Sequence, residues 1–133
     1  MLYYLDTNIV IYAVEGQPPF QQRARDHIAA LENAGHRFGV SELTWTGCLV
    51  IPLRTGNGPL VLEYDRFFLG PHLTTLSATA AVHRRAAMIR GIHHHGLADS
   101  LHLAHAVEGR FDRFLTNDNR PAGFHDIPVD VLP

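Results

Sequence analysis

The chain has 133 residues, of which 46% are hydrophobic and 18% charged, and its formal net charge is −2. These values predict one globular domain with a substantial core and exclude a disordered chain. The sequence has no apolar run near the roughly 20 residues of a membrane span, no basic flank typical of a signal peptide, and only one cysteine, Cys48, so we expect a cytoplasmic protein.

All 11 basic residues are arginines, and the chain contains no lysine. A Walker-type phosphate loop, a Schiff base and a receiver-domain phosphorylation site all require lysine. The composition therefore excludes these three mechanisms.

The first half of the chain begins with a short buried strand at residues 2–5. Apolar residues at helical spacing predict helices at 7–14 and 21–33, and the second of these ends before Gly35. A second strand is predicted at 36–40, and Ser41 is then a plausible N-cap for a helix at 42–53.

The second half continues the same alternation after the break at "TGNGP". The predicted elements are a helix at 60–68, a strand at 72–76, helices at 78–93 and 98–109, a strand at 112–116 and a final strand at 127–132. Strands separated by helices are typical of a parallel sheet covered on both faces. We therefore predict an α/β fold, a three-layer α/β/α sandwich with a mostly parallel central sheet, in a single domain over residues 1–133.

Four acidic residues lie where these predicted elements meet. Asp6 directly follows the first strand, and Glu42 begins the helix after the second. Asp118 follows the fourth strand after one residue, and Asp99 lies in the first turn of the last helix. Ligands of open α/β sheets bind outside the carboxyl ends of the strands, so these side chains are expected at one rim.

Each acid taken alone also has an ordinary explanation. Asp6 and Asp99 suit helix caps or first turns, Glu42 suits the position after a Ser41 cap, and Asp118 suits a turn. Four carboxylates at one end of a sheet, with no lysine to neutralise them, would nevertheless repel one another. A bound divalent cation is the simplest resolution.

The residue types at such a site indicate which metal ion it would bind and which reaction it would catalyse. Ligands that are all oxygen select Mg²⁺ or Mn²⁺ rather than zinc. These ions can activate water and stabilise the leaving oxygen in an attack on a phosphodiester. Because no serine or cysteine lies in a recognisable nucleophile motif, metal-assisted phosphodiester hydrolysis fits best.

Four motifs in order then resemble the PIN-domain family, and within it the VapC-type toxins. They are "LDTN" after the first strand, "SELT" after the second, "GLADSLHLAHA" in the late helix and "FLTND" after the fourth strand. The resemblance covers nearly the whole chain, from residue 2 to about residue 118.

The resemblance implies an α/β/α sandwich and a Mg²⁺- or Mn²⁺-dependent endoribonuclease. Thr116 would be a supporting hydroxyl near the metal, and Asn8 a second supporting group. The resemblance also implies homodimerisation, an RNA substrate (tRNA, rRNA or mRNA) and inhibition by a small cognate antitoxin. The acidic quartet, serving as catalytic residues and metal ligands, would be Asp6, Glu42, Asp99 and Asp118.

Other residues are candidates for substrate contact. His102 lies three residues after Asp99, hence on the same helical face. It either touches the substrate or the metal, or is simply a polar residue beside a solvated cleft. His102 and His105 stand where relatives more often have small or apolar residues. Three arginines on the preceding helix either steer RNA phosphates or form a solvated face: Arg84, Arg85 and Arg90.

The two helices around "TGNGP" carry Trp45, Leu49, Phe67 and Phe68. Part of this set is expected in the core, since that is the usual place of aromatic residues at helical spacing. An apolar strip left exposed there would be a candidate dimer or antitoxin surface.

Two other functions compete with the nuclease. A haloacid-dehalogenase-like phosphatase also begins with an aspartate at a strand end, but it needs a second aspartate two positions on, where this chain has Asn8, and usually a lysine. The non-enzymatic alternative is a degenerate PIN fold that binds RNA or protein. The sequence also leaves open whether a nuclease of this kind is a toxin or a housekeeping enzyme.

Overall fold

A computed structural model describes residues 1–133. Its central sheet has five strands, all parallel, in the spatial order β3-β2-β1-β4-β5. Because β1 lies in the middle, its carboxyl end is flanked by elements from both halves of the chain. The strands are β1 (Leu2–Leu5), β2 (Arg37–Ser41), β3 (Leu73–Leu76), β4 (Arg113–Thr116) and β5 (Val129–Val131).

Six α-helices connect these strands, and a short 3₁₀ turn at Arg120–Gly123 precedes β5. None of the helices combines the length and apolar character that a membrane crossing requires. In chain order they are α1 (Thr7–Glu15), α2 (Phe20–Asn33), α3 (Glu42–Arg54), α4 (Gly58–Phe68), α5 (Ala80–His93) and α6 (Leu97–Glu108).

The sheet separates two hydrophobic cores. Side chains of α1 to α4 pack on one face, against Tyr3 and Leu5 of β1. Side chains of α5 and α6 pack on the other face, against Tyr4 and Phe114. Successive residues of β1 thus point to opposite faces, as the period of a strand requires. The predicted three-layer sandwich is confirmed.

The predicted helices and strands are all present, and the differences lie at their ends. The helix predicted from residue 78 starts at Ala80, because the hydroxyl of Thr79 accepts a hydrogen bond from the Val82 amide (3.3 Å) and caps it there. The helix predicted from residue 60 starts two residues earlier, because Asn57 caps α4 through the Leu60 amide (3.2 Å).

The helices α3 and α4 pack partly as expected. Phe68 is buried and stacks against Trp45 with ring centroids 5.5 Å apart, while Leu49 and Phe67 are partly buried against the same core. The exposed apolar side chains on these two helices are different residues: Val50, Ile51, Leu53 and Leu62.

A carboxylate cleft at the ends of the parallel strands

A cleft of about 380 Å³ opens at the carboxyl end of β1, between α1, α3, α6 and the loop after β4. Three of the four predicted acids line it: Asp6, Asp99 and Asp118. They come from three separate parts of the chain, and the parallel sheet brings them together as expected.

Asp6 forms the floor of the cleft and is also the N-cap of α1. One carboxylate oxygen accepts a hydrogen bond from the Thr7 amide (2.8 Å) and the other from the Thr116 hydroxyl (2.7 Å). Only 6% of Asp6 is exposed. Burial raises the pKa of Asp6 and the charge of Asp118 adds to this effect, while the two hydrogen bonds oppose it. The residue is therefore a helix cap and a cleft carboxylate at once.

Thr116, at the end of β4, links two of the acids. Its hydroxyl donates to Asp6 and accepts from the backbone amide of Asp118 (3.0 Å). Asn8 braces the same loop, because its side-chain oxygen accepts from the Asn117 amide (3.1 Å). The two residues predicted to support the site thus hold the β4 loop against α1.

Asp99 lies in the first turn of α6 and is half-buried. Burial raises the pKa of Asp99, and the nearby charge of Asp6 raises it further. A second carboxylate therefore lies in a setting that disfavours its charged form.

Asp118 is paired with an arginine that the sequence analysis did not single out. The Arg120 Nε donates to one oxygen of Asp118 (2.6 Å), Nη2 contacts the same oxygen, and the Arg120 amide donates to the other (2.9 Å). These hydrogen bonds lower the pKa of Asp118. The sequence did offer a signal for this pair, because Arg120 lies only two residues after Asp118, within one turn. A bound divalent cation was the simplest expected resolution of the repulsion between the acids, and the structure adds a second source of positive charge, Arg120.

Glu42 is not brought to the cleft. It is the first residue of α3 as predicted, but its side chain is exposed and does not line the cavity. Burial and the neighbouring His102 and His83 lower the pKa of His105, and the charge of Glu42 opposes this shift. His105 Nδ1 is buried and has no hydrogen-bond partner.

A buried polar network lies beneath the cleft, on the α6 side of β1. The Tyr4 hydroxyl hydrogen-bonds Ser41 Oγ (2.8 Å), Thr44 Oγ1 (3.3 Å) and His102 Nδ1 (2.7 Å). His102 Nε2 in turn bonds the Thr7 hydroxyl (3.1 Å). Burial lowers the pKa of His102 to about 4, so its ring is neutral at physiological pH. The signal for this network was a tyrosine in a buried strand, whose hydroxyl needs a partner.

The three arginines of α5 lie outside the cleft lining. Arg85 forms an ion pair with Glu108 (2.5 Å) at the opposite end of α6 from Asp99. Arg90 donates to the His95 carbonyl (3.2 Å), and Arg84 is exposed.

The donors fit a hard dication in kind, since the lining acids offer only oxygen. They do not fit one in arrangement. No group of three or more histidine, cysteine, aspartate or glutamate side chains stands close enough together to hold a metal ion. Asp118 is paired with Arg120, and Glu42 is not among the residues that line the cleft. The cleft is therefore an acidic site closed by an internal cation rather than a formed metal centre.

The sequence of residues 3–129 matches the model of the PIN domain, so the chain belongs to the PIN-domain family. No curated protein matches the sequence.

Several solved structures share the fold. VapBC2 from Rickettsia felis, bound to a DNA fragment from its promoter, is 17% identical with a TM-score of 0.81, and the match covers 100% of both chains. A toxin–antitoxin complex from Klebsiella pneumoniae is 20% identical with a TM-score of 0.76 and covers 98% of each chain. VapC20 from Mycobacterium tuberculosis, a toxin that cleaves the sarcin–ricin loop, is 13% identical with a TM-score of 0.75, covering 95% of this chain and 98% of that one.

Proposed function

We propose that the chain is a Mg²⁺- or Mn²⁺-dependent endoribonuclease that acts in the cytoplasm as the toxin of a toxin–antitoxin pair. The observation that carries the proposal is the convergence of Asp6, Asp99 and Asp118 on one cleft in a chain of the PIN-domain family. The similarity in fold to VapC20, a toxin that cleaves the sarcin–ricin loop, supports the same function.

The proposed ligands of the ion are Asp6, Asp99 and Asp118, and Glu42 remains a predicted fourth that would have to turn toward the cleft. Thr116 would keep Asp6 and the Asp118 loop in register through its two hydrogen bonds. His102 is neutral and nearly buried, so we assign it to holding the floor of the cleft rather than to proton transfer. The substrate would be a tRNA, an rRNA or an mRNA.

The test is cleavage of tRNA and ribosomal RNA in the presence of Mn²⁺ or of EDTA. The wild type is compared with Asp99→Asn, and with Asp26→Asn as a matched control on the exposed face of α2. We expect cleavage that requires Mn²⁺ and falls about 100-fold or more in Asp99→Asn, because the variant lacks a proposed ligand of the ion. Each factor of ten in rate corresponds to about 1.4 kcal/mol of lost transition-state stabilisation. The control should retain the wild-type rate.

A non-catalytic binding module is the second candidate, and the pairing of Asp118 with Arg120 favours it. In that case the protein should bind RNA with an affinity that ignores Mn²⁺ and EDTA, and no preparation should cleave it. Cleavage retained in full by Asp99→Asn would contradict the nuclease proposal and indicate a contaminating enzyme.

We further propose that the chain forms a homodimer and binds a small antitoxin. The solved toxin–antitoxin structures of similar fold support the antitoxin. The exposed side chains Val50, Ile51 and Leu53 on α3 and Leu62 on α4 are candidates for either surface. Light scattering of the wild type and of Ile51→Glu tests the dimer. A small upstream reading frame with a DNA-binding N-terminus, whose product co-purifies with the chain, would support the antitoxin.

A further inference from the structure

One cationic side chain, Arg120, is built into the acidic cleft. It is the only arginine in the lining, and the other basic residue there, His102, is neutral. Arg120 reaches both oxygens of Asp118, one with its backbone amide and the other with its guanidinium.

The charge of Arg120 extends beyond this pair. It lowers the pKa of Asp99 and of Asp6, against the larger effects of burial and of mutual carboxylate repulsion that raise both. The guanidinium is thus paired with Asp118 and also favours the charged forms of the two other acids of the cleft. A divalent cation would need the same carboxylates and the same space.

The geometry also allows the arginine to leave. Its side chain is 76% exposed, whereas that of Asp118 is 22% exposed. Its side chain makes no hydrogen bond to any residue except Asp118. An arginine held at one end by a single carboxylate, and otherwise in water, can turn outward without disturbing the core.

We propose that Arg120 is an internal counterion that occupies the cleft in the absence of metal and competes with the divalent cation for Asp118. The inference rests on the metal dependence proposed above and adds to it. It accounts for an acidic cleft in which the side chains are not arranged as a metal centre. The apparent metal affinity is then the intrinsic affinity multiplied by the fraction of molecules in which Arg120 and Asp118 are not paired.

The experiment measures Mn²⁺ binding by isothermal titration calorimetry for the wild type, Arg120→Gln and Asp99→Asn. Arg54→Gln is the matched control, since Arg54 is an exposed arginine at the far end of α3. We expect Arg120→Gln to bind Mn²⁺ about 5- to 10-fold more tightly than wild type, because a paired surface charge is removed together with its repulsion of the dication. Arg54→Gln should bind like the wild type, and Asp99→Asn should bind more weakly.

A second readout uses thermal unfolding in EDTA. Arg120→Gln should melt below Arg54→Gln, because Asp118 loses its ionic partner and the other two acids lose a nearby positive charge. Mn²⁺ should then raise the melting temperature of Arg120→Gln by more than it raises that of the control. Arg120→Lys provides a further check should the glutamine variant fail to fold. Lysine keeps the charge but loses the planar fork, so its Mn²⁺ affinity should lie between those of wild type and Arg120→Gln.

The outcomes separate the two proposals. Equal Mn²⁺ affinities for Arg120→Gln and Arg54→Gln, with weaker binding by Asp99→Asn, would overturn the competition and leave the metal-dependent nuclease intact. An Arg120→Lys affinity equal to that of wild type would also count against the role of the forked contact. If the wild type binds no Mn²⁺, or binds it no more tightly than Asp99→Asn does, the metal dependence is wrong, and the proposed competition is wrong with it.

Discussion

The Tyr4 hydroxyl joins the side chains of the buried network beneath the cleft, and replacing Tyr4 with phenylalanine removes that one oxygen. The ring is fully buried, and its hydroxyl bonds three side chains at 2.7 to 3.3 Å. Phenylalanine fills the same volume, so the change tests the hydrogen bonds alone.

The cost follows from what the hydroxyl leaves behind. His102 is only 4% exposed, and its Nδ1 has no other partner. Leaving a buried group unpaired costs about 1–3 kcal/mol, and an ordinary hydrogen bond to Ser41 is lost as well, so we expect a total of about 2–3 kcal/mol. An unfolding entropy of about 0.28 kcal/mol/K, for 133 residues at the usual value per residue, converts this to a fall in Tm of about 7–11 °C.

Differential scanning calorimetry in EDTA measures the effect, with Tyr3→Phe as the matched control. Tyr3 is the preceding residue of β1 and is buried on the other face, but its hydroxyl makes no side-chain hydrogen bond that would be lost. Its Tm should change by about 1–2 °C at most, as for a substitution that removes no buried interaction. If the two variants melted at the same temperature, the network would contribute nothing, and the reasoning about the floor of the cleft would be wrong.

Three further predictions concern a carboxylate of the cleft, a close backbone contact in the sheet and the buried thiol. In EDTA, Asp6→Asn should stabilise the protein by about 1 kcal/mol at pH 7. Burial raises the native pKa of Asp6, so the folded state favours the protonated carboxyl, and the stability that this form contributes is lost as the pH rises through the raised pKa. Urea titrations should therefore show that the gain of the variant disappears below about pH 4, where Asp6 is protonated in the unfolded chain as well. Gly39→Ala should lower stability by about 1–3 kcal/mol, because its Cβ would lie 2.5 Å from the Phe111 ring, whereas Gly91→Ala, with open space around it on α5, should raise Tm. Cys48 is 2% exposed and burial raises its thiol pKa to about 12, so a disulfide reagent should modify it rapidly only in denaturant, and rapid labelling of the native protein would contradict the buried placement.

The fold was predictable because its signals are local. Apolar runs of four or five residues alternate with helical periodicity, and such alternation implies a parallel sheet whose strand ends share one rim. The meeting of Asp6, Asp99 and Asp118 follows from this rule, although the rule says nothing about distances. The supporting role of Thr116 came from the family motif rather than from the pattern.

The remaining features of the site depend on the positions of individual side chains, which no local sequence pattern encodes. Glu42 occupies its predicted position at the start of α3, but the packing of that helix decides the direction of its side chain, which is outward. Arg120 is the first residue of the short 3₁₀ turn, and its pairing with Asp118 depends on where that turn begins. The Tyr4 network joins residues separated by 37 to 98 positions, a distance over which sequence spacing carries no information.

The central place of the first strand has a consequence for the synthesis of the protein. β1 is synthesised well before β4, which is one of its two neighbours in the sheet, and Asp118 lies 112 positions after Asp6 (118 − 6). A chain that terminates before β4 therefore keeps an open edge on β1 and lacks the third carboxylate. Fragments from translation interrupted before β4 are expected to be inert, because the cleft forms only once the loop that carries Asp118 has been made.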